Sequence, residues 1–430
     1  MIPFEIDGKC YHLNQRKQAL PVFDLIHWLD SQPIYPKVFW REKGSPIARA
    51  AVGNLLSFAH VPNFSASASM DIRLYGGIRF APNVYDDATW RGFPNASFWL
   101  PEIEVSQEEA HTELIYNDLL NSCARGDFKD QKSCVNPETW GKIDALSEGL
   151  SHPTLEHKET PDFEGWNQRV SAVLEEIASG RISKLILARK TSYQFLRQVS
   201  IWPLFRCLME KARSATLFAF QLTPTLCFLG ATPEKLFQRE GNVLSADAIA
   251  GTRARGRTLD EDVQLEQELL VSPKEQLEFA IVKRFLQETL VALSDGLKWD
   301  GDDRILKASH VQHIHNTLNA VLKKKILDAE LISALHPTPA LGGFPRDSAL
   351  NFLKKIEPFD RGWYGAPVGM ISPHRSCFYV AIRSALIRER SLHLFAGTGL
   401  VQGSVAAREW DELEQKIRPF TETLSGPKCI

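Results

Sequence analysis

The chain has 430 residues and a formal net charge of −2, with 44% hydrophobic and 24% charged residues. This is the composition of a soluble protein with a large core, built as one large globular unit or two medium ones. The charge gives no electrostatic case for nucleic-acid binding, and we find neither a signal peptide nor an apolar run long enough to span a membrane, so we expect a cytoplasmic protein.

The first part of the chain alternates short aromatic-rich runs with turn signals such as Gly76-Gly77 and Pro94-Asn95, which predicts strands. Residues 121–161 are rich in Ser, Asp, Lys, Gly and Pro. They predict loops, or a seam between the N-terminal third and the rest.

From residue 163 onward the patterns are clearer. Apolar residues at helical spacing predict a helix that ends at Gly180, namely Trp166, Val170, Val173, Leu174 and Ile177. Residues 181–193 alternate between apolar and polar side chains, which predicts a strand. Residues 217–222 and 226–230 predict a hairpin around Thr223-Pro224.

The C-terminal half continues with runs of helix and of strand. Residues 260–293 predict a helix that Pro273 divides in two. Residues 378–388 and 392–401 predict a second hairpin, and residues 405–417 a closing helix. Because strands and helices come in runs, the order favours an α+β fold with mostly antiparallel sheets over a doubly wound parallel sheet.

Two acidic pairs have a spacing that puts both carboxylates on one helix face. Glu275 and Glu278 form the first pair, and Glu409 and Glu412 the second. Four carboxylates from two helices would suit a hard divalent cation such as Mg²⁺. The alternative is an ordinary solvated helix face, which the i,i+4 pair of Glu412 with Lys416 also fits.

Several other polar residues interrupt apolar segments. Lys184 lies in the apolar strand segment SKLILARK, where a desolvated amine can serve as a base, or where a lysine can simply protect a sheet edge. Glu234, in GATPEKLF, is either a buried acid or a surface glutamate near a helix start. Arg383, in VAIRSALI, is a fork-shaped cation suited to a carboxylate.

Turn motifs and residue types that commonly bind metals give weaker indications of function. Gly251-Thr252 and Gly397-Thr398-Gly399 are turns whose backbone N–H groups could meet an anion, but neither is a dinucleotide or P-loop motif. The seven cysteines contain no CxxC pair, and the histidines near residue 313 lack zinc-site spacing. We therefore expect neither a disulfide framework nor a zinc site.

Taken in order, the segments over residues 163–420 resemble the chorismate-utilising enzymes, which comprise isochorismate, salicylate, anthranilate and aminodeoxychorismate synthases. The segments that carry this resemblance are SKLILAR, GATPEKLF, AIAGTRARG, SPKEQLEFAIV, VQHI, HPTPALGGFP, DRGWYGAPVG, VAIRSALI, FAGTGLV and REWDELEQK. The resemblance implies an anthranilate-synthase-like fold, in which large antiparallel sheets pack as a sandwich with surrounding helices.

The resemblance also implies residue roles. Lys184 matches the general base that activates water for attack at C2 of chorismate, and Glu234 the general acid that protonates the departing C4 hydroxyl. Glu278 and Glu412 match direct Mg²⁺ ligands, with Glu275 and Glu409 as outer acidic residues. The remaining matches are to substrate-binding positions: Ala250, Gly251, Thr252, His313, Tyr364, Arg383, Gly397 and Lys416.

Within the family, the sequence is closest to the isochorismate synthases of the menaquinone type. The aminodeoxychorismate branch carries a nucleophilic lysine where this chain has Ala250, and HPTPALGGFP resembles the isochorismate branch. Salicylate synthase, which adds pyruvate elimination, and anthranilate synthase component one stay open as alternatives. An inert scaffold is disfavoured because the matched base, acid and metal ligands are all present.

The chain departs from the family pattern at the pocket rim. The Gly-Ala-Gly segment before the last helix is Gly397-Thr398-Gly399 here, and Ala366 replaces a glycine. We expect residues 1–150 to be a variable N-terminal part that completes the same fold, and residues 160–425 to be the chorismate-binding catalytic region. The expected partner is the small molecule chorismate, without nucleic acid or membrane, and the expected state is a monomer.

Overall fold

The computed structural model describes residues 2–65, 72–81, 87–119, 154–212, 214–308, 311–324 and 326–425. The helices in these ranges are α1 Leu25–Ser31, α2 Phe163–Ala178, α3 Ile201–Lys211, α4 Leu259–Val271, α5 Pro273–Leu293, α6 Asp328–Leu335, α7 Arg346–Ile356 and α8 Ala406–Ser425.

The strands are β1 Ile2–Ile6, β2 Lys9–Leu20, β3 Lys37–Arg41, β4 Ala48–Val52, β5 Leu56–Phe58, β6 Leu74–Ile78, β7 Ala96–Leu100, β8 Ile103–Glu108, β9 His111–Leu119, β10 Thr154–Thr160, β11 Lys184–Phe195, β12 Thr216–Thr223, β13 Leu226–Thr232, β14 Lys235–Glu240, β15 Val243–Ala254, β16 Ser294–Trp299, β17 Arg304–Lys307, β18 Val311–Leu322, β19 Gly343–Phe344, β20 Pro367–Ile371, β21 Arg375–Val380, β22 Ser384–Arg388 and β23 Ser391–Leu400.

These strands form two large sheets. The larger has the order β1-β2-β9-β8-β4-β3-β12-β13-β22-β23-β11-β10, with β19 added beside β11. The smaller has the order β16-β18-β15-β14-β21-β20-β6-β7-β5, with β17 added beside β18. The strand pairs are antiparallel throughout the described residues, so the predicted fold class is confirmed.

Aromatic side chains fill the space between the two sheets. Trp40 of the larger sheet packs edge-on against Tyr379 of the smaller, with ring centroids 5.9 Å apart. Phe220 and Trp99 pack across the same interface, with centroids 6.1 Å apart. Such rings bury much apolar area each, so this layer contributes strongly to stability. The sheets therefore pack as the predicted sandwich.

The N-terminal strands belong to both sheets. β3 pairs with β12 in the larger sheet, and β6 pairs with β20 in the smaller. The proposed division at about residue 150 stays a prediction. Most of the predicted loop at 121–161 falls outside the described residues, but its end, Thr154–Thr160, is strand β10. The loop prediction is wrong there because β10 pairs with the distant β11, and a local reading of composition does not detect such pairing.

The elements predicted from residue 163 onward are largely confirmed. α2 ends where Gly180 adopts φ 74°, and Pro273 occupies the first turn of α5. α8 continues to Ser425 through Pro419, beyond its predicted end. In the described residues, no helix combines the length and the apolar character needed to span a membrane.

One further prediction is wrong. Residues 378–388 do not form one strand: β21 lies in the smaller sheet and β22 in the larger. The chain changes sheets at Arg383, which has φ 50°, because its apolar neighbours on the two sides belong to different layers. Cys207 is disulfide-bonded, but one such bond is not a disulfide framework, so that expectation stays a prediction.

Candidate active site

A small cavity lies where α5 and α8 close the ends of β11, β15, β18 and β23. Its volume is about 60 Å³, well below the roughly 300–1,000 Å³ of typical ligand pockets, so side chains must move to admit a ligand. It is lined by Ile186, Pro233, Glu234, Ile249, Ala250, Gly251, Thr252, Glu278, His313, Ala340, Leu341, Tyr364, Ile382, Arg383, Gly397, Gly399, Glu412 and Lys416. Of the other predicted site residues, Lys184 contacts Glu278 and Glu275 contacts Thr252 of this lining, whereas Glu409 lies further back and contacts Lys274 and Thr398.

Lys184 begins β11 and is fully buried. At this end β11 is paired on both sides, since Lys184 pairs with Phe344 and Leu185 with Leu400. The edge-strand alternative is therefore wrong. The Lys184 Nζ atom lies 2.9 Å from Oε1 of Glu278. The strand thus aims an amine from the larger sheet at a carboxylate of α5.

Glu234 lies at the turn between β13 and β14, after Pro233. It is only 7% exposed, so the surface alternative is wrong. Among the described residues, its carboxyl group has neither a hydrogen bond nor an ion pair. Burial raises the pKa of Glu234 to about 7, against the opposing effect of Lys184 and Arg383. A carboxyl group with this pKa is partly protonated at neutral pH and can donate that proton.

The first acidic pair projects from α5. Glu278 faces Lys184 as described, whereas Glu275 accepts a hydrogen bond from the Thr252 N–H at 3.2 Å and pairs with Arg253 at 3.4 Å. Burial raises the pKa of Glu275, and the carboxylate of Glu278 raises it further. The two carboxylates of this pair therefore repel each other electrostatically.

The second acidic pair projects from α8. Lys416 Nζ lies 2.5 Å from Oε1 of Glu412, in a pair that is mostly buried and not a solvated helix face. Glu409 is 2% exposed and receives Lys274 Nζ at 2.7 Å. The Thr398 hydroxyl lies 2.6 Å from Glu409 Oε2 and 3.1 Å from Glu412 Oε1. Thr398 of β23 therefore contacts both carboxylates, and a neighbouring lysine pairs with each of them.

The four carboxylates are the oxygen donors that Mg²⁺ prefers. The four carboxylates are crowded. Burial raises the pKa of Glu275, and the nearby carboxylates of Glu278 and Glu412 raise it further. A divalent cation would relieve this like-charge repulsion, so the donor set fits. No three His, Cys, Asp or Glu side chains of the described ranges are arranged as a metal site, and Lys184 and Lys416 form ion pairs with Glu278 and Glu412. Magnesium therefore stays a prediction.

The opposite wall of the cavity is cationic. Arg383 lines it, and among the described residues no carboxylate forms an ion pair with that guanidinium. His313 lies 3.5 Å from Arg383, with its Nδ1 3.0 Å from the Gly251 carbonyl oxygen. Burial and then Arg383 lower the pKa of His313 to about 3, so this ring is neutral. A carboxylate of a ligand could form with Arg383 the ion pair that a protein carboxylate would otherwise make.

The backbone of β15 brings the first predicted turn to the cavity. The register of β15 with β18 shifts between Ala250 and Arg253, and Gly251 adopts φ 70°. This bulge turns the Thr252 N–H toward Glu275. The Tyr364 hydroxyl and the Gly397 carbonyl, which accepts from Lys416 at 2.7 Å, complete the wall. The predicted substrate-binding positions are thus all brought together.

Gly399 has no room for a side chain. A Cβ there would lie 2.4 Å from Glu278 Oε1 and 3.2 Å from Lys184 Cε. We expect Gly399→Ala to displace both groups and to lower kcat/KM with chorismate by about 10²-fold, as misplacement by an ångström does in other sites. Gly296→Ala, which has open space around it, is the matched control. A kcat/KM equal to wild type in both variants would contradict the close contact.

Some residues of this site were missed from the sequence. Lys274 and Thr398 hold the acidic pairs, and Ala340 and Leu341 line the cavity. All four lie inside segments that matched the family pattern, so the segments themselves carried a signal. The sequence alone does not show which side chains of these segments face the cavity.

Comparisons with known proteins agree with this geometry. A family model described as chorismate binding enzyme matches residues 7–425. Isochorismate synthase 2, chloroplastic, of Arabidopsis thaliana is 31% identical over 408 residues, which cover 90% of this chain and 72% of that protein.

Two solved structures extend the comparison. The structure of MenF, the menaquinone-specific isochorismate synthase from Escherichia coli, matches with a TM-score of 0.83 and 26% identity, covering 99% of this chain and 96% of the other. Anthranilate synthase component I from Streptococcus pneumoniae, at 17% identity and a TM-score of 0.72 over 94% of this chain and 92% of that one, shares the fold, so the predicted fold is confirmed. The chain belongs to the chorismate binding enzyme family.

Proposed function

We propose that the protein is an isochorismate synthase, which converts chorismate to isochorismate by water attack at C2 and loss of the C4 hydroxyl. The observation that carries this proposal is a cavity lined by Glu234, whose pKa is raised to about 7, and by Arg383, with which no described carboxylate pairs, with the buried amine of Lys184 directly behind Glu278 of the lining. Hydroxyl exchange needs a base at one end of the allylic system and an acid at the other.

The position of each group around the cavity suggests its role in the reaction. Arg383 and Tyr364 would bind the pyruvyl carboxylate on the cationic wall. Lys184, as the neutral amine, would take the proton from the attacking water, and Glu234 would give one to the departing hydroxyl. Ala250 presents only a methyl group at the position where a lysine would act as a nucleophile, which leaves the attack to water.

Magnesium is part of the proposal. Glu278 and Glu412 would hold the ion, with Glu275 and Glu409 behind them, and the ion would neutralise and orient the ring carboxylate. Lys184 and Lys416 form ion pairs with these two carboxylates. Binding of an ion by Glu278 and Glu412 would compete with these pairs.

We expect Glu412→Gln to raise the Mg²⁺ concentration for half-maximal activity about tenfold or more, because an amide keeps the size of the side chain but lacks its charge. The measurement is initial rate against Mg²⁺ concentration. Asp411→Asn, exposed on the same helix, should leave the curve unchanged. An unchanged magnesium dependence in Glu412→Gln would remove this residue from the metal site.

The test of the whole proposal is an incubation of purified protein with chorismate and Mg²⁺, with an EDTA control and products separated by chromatography. Isochorismate approaching an equilibrium mixture, and only with metal, supports it. Salicylate with pyruvate would assign the chain to salicylate synthase, and anthranilate formed on adding ammonium would assign it to anthranilate synthase. Untouched chorismate under all conditions would contradict every enzymatic assignment.

The setting of the reaction belongs to the same proposal. The Escherichia coli structure is described as menaquinone-specific, which supports menaquinone biosynthesis as the use of the product. A cytoplasmic location and a monomeric state are expected, and sedimentation of the purified protein tests the latter.

A further inference from the structure

Thr398 connects the two carboxylates of α8. It lies on β23 opposite Leu187 of β11 and is 1% exposed. Its Oγ1 lies 2.6 Å from Glu409 Oε2 and 3.1 Å from Glu412 Oε1. A hydroxyl group has one hydrogen to donate. It therefore bonds one carboxylate at a time and holds both within reach of the same point on the strand.

The contacts around this point form a chain from α5 to α8. Lys274 Nζ lies 2.7 Å from Glu409 Oε1, Thr398 bonds Oε2 of the same carboxylate, and Lys416 Nζ lies 2.5 Å from Glu412 Oε1. Thr398 and Lys416 thus approach Glu412 at the same oxygen.

We propose that Thr398 is a positioning residue for the magnesium site: its hydroxyl donates to Glu409 or to Glu412 and so restrains both carboxylates beside β23, which presets them for the ion. The inference rests on the proposed function for its metal, and it goes beyond the family pattern, which has alanine at this place. A side chain held by a buried hydrogen bond loses less rotamer freedom when it binds a ligand, so its affinity is higher.

The test compares two substitutions. Thr398→Val keeps the shape of threonine but removes the hydroxyl, and its extra methyl group leaves no space for a substituting water molecule. Thr398→Ser keeps the hydroxyl. Thr191→Val is the matched control, because Thr191 is a buried threonine of the neighbouring strand β11 whose Oγ1 has no hydrogen-bond partner among the described residues.

The first readout is the Kd for Mg²⁺, measured by titration calorimetry on the full chain without chorismate. We expect Thr398→Val to weaken binding by about tenfold or more, as loss of a hydrogen bond to a charged group does. Thr398→Ser and Thr191→Val should stay within about threefold of wild type, a difference smaller than that of one such bond. Melting temperatures of all variants show that each is folded.

The second readout separates positioning from a structural role. In Thr398→Val, the Mg²⁺ concentration for half-maximal isochorismate formation should rise, whereas kcat at saturating Mg²⁺ should stay close to wild type. A lower melting temperature and kcat with an unchanged Kd for Mg²⁺ would overturn the inference, as would absence of Mg²⁺ binding to the wild-type chain. Failure of the proposed function is a different result, because it appears as absence of isochorismate while the Kd comparison still holds.

Discussion

Replacement of Lys184 with alanine is expected to lower kcat by about 10²–10⁴-fold, the usual contribution of a positioned general base. Chorismate and Mg²⁺ should still bind, since Arg383 and the carboxylates of α8 are untouched. The amine of Lys184 is fully buried and lies 2.9 Å from Glu278. A water molecule that enters the cavity cannot replace it as a base. The measurement is kcat from initial rates, together with calorimetric binding of Mg²⁺.

Two further variants sharpen this test. Lys190→Ala removes another lysine of β11 whose Nζ lies 3.2 Å from Asp87, away from the cavity lining, and its kcat should stay close to wild type. Lys184→Met keeps the length of the side chain without its amine and should be as inactive as the alanine variant. Turnover close to wild type in either Lys184 variant would refute the assignment of the base.

The second large effect concerns Glu234. We expect Glu234→Gln to lower kcat by about 10²–10⁴-fold, because the amide fits the same space but has no proton to give to the departing hydroxyl. Glu210→Gln, exposed on α3, is the control and should behave as wild type. A Glu234→Gln variant that keeps most of its activity would show that another group protonates the C4 oxygen.

The pH dependence of the wild-type enzyme follows from the same residue. The pKa of Glu234 is raised to about 7, so its carboxyl group is protonated below that pH and ionises as the pH rises through it. The active form of an acid is the protonated one. We therefore expect kcat/KM to fall above about pH 7. A flat profile from pH 6 to 8.5 would contradict the role of Glu234 as the acid.

The sequence by itself determined most of the secondary structure after residue 163, and it predicted residues that the fold brings together around one cavity. α2 and α5 were predicted because apolar periodicity, a terminal glycine and a proline at a helix start are local signals. The site residues were found because each lies in a short segment that resembles the family pattern. Spacing alone gave only weak support, since an i,i+3 pair of glutamates is equally typical of an exposed helix.

Only the tertiary structure decided the alternatives at individual positions. Lys184 could be an edge lysine or a buried amine, and pairing of β11 on both sides with residues more than a hundred positions away made it buried. Glu234 acquired its raised pKa because β13 and β14 turn it into the interior, where no described residue pairs with its carboxyl group.

The errors have the same physical origin. Residues 378–388 are mostly apolar, which predicts one strand, yet the chain changes sheets at Arg383 because both sheets bury their inner faces in the same core. Lys274 gave no distinct local signal, and Thr398 was predicted in a turn although it lies in strand β23, since the importance of both residues lies in carboxylates on other elements. Local structure and residue chemistry are encoded in short segments, whereas burial, ion pairing and the pKa of each group depend on which distant segments the folded chain brings together.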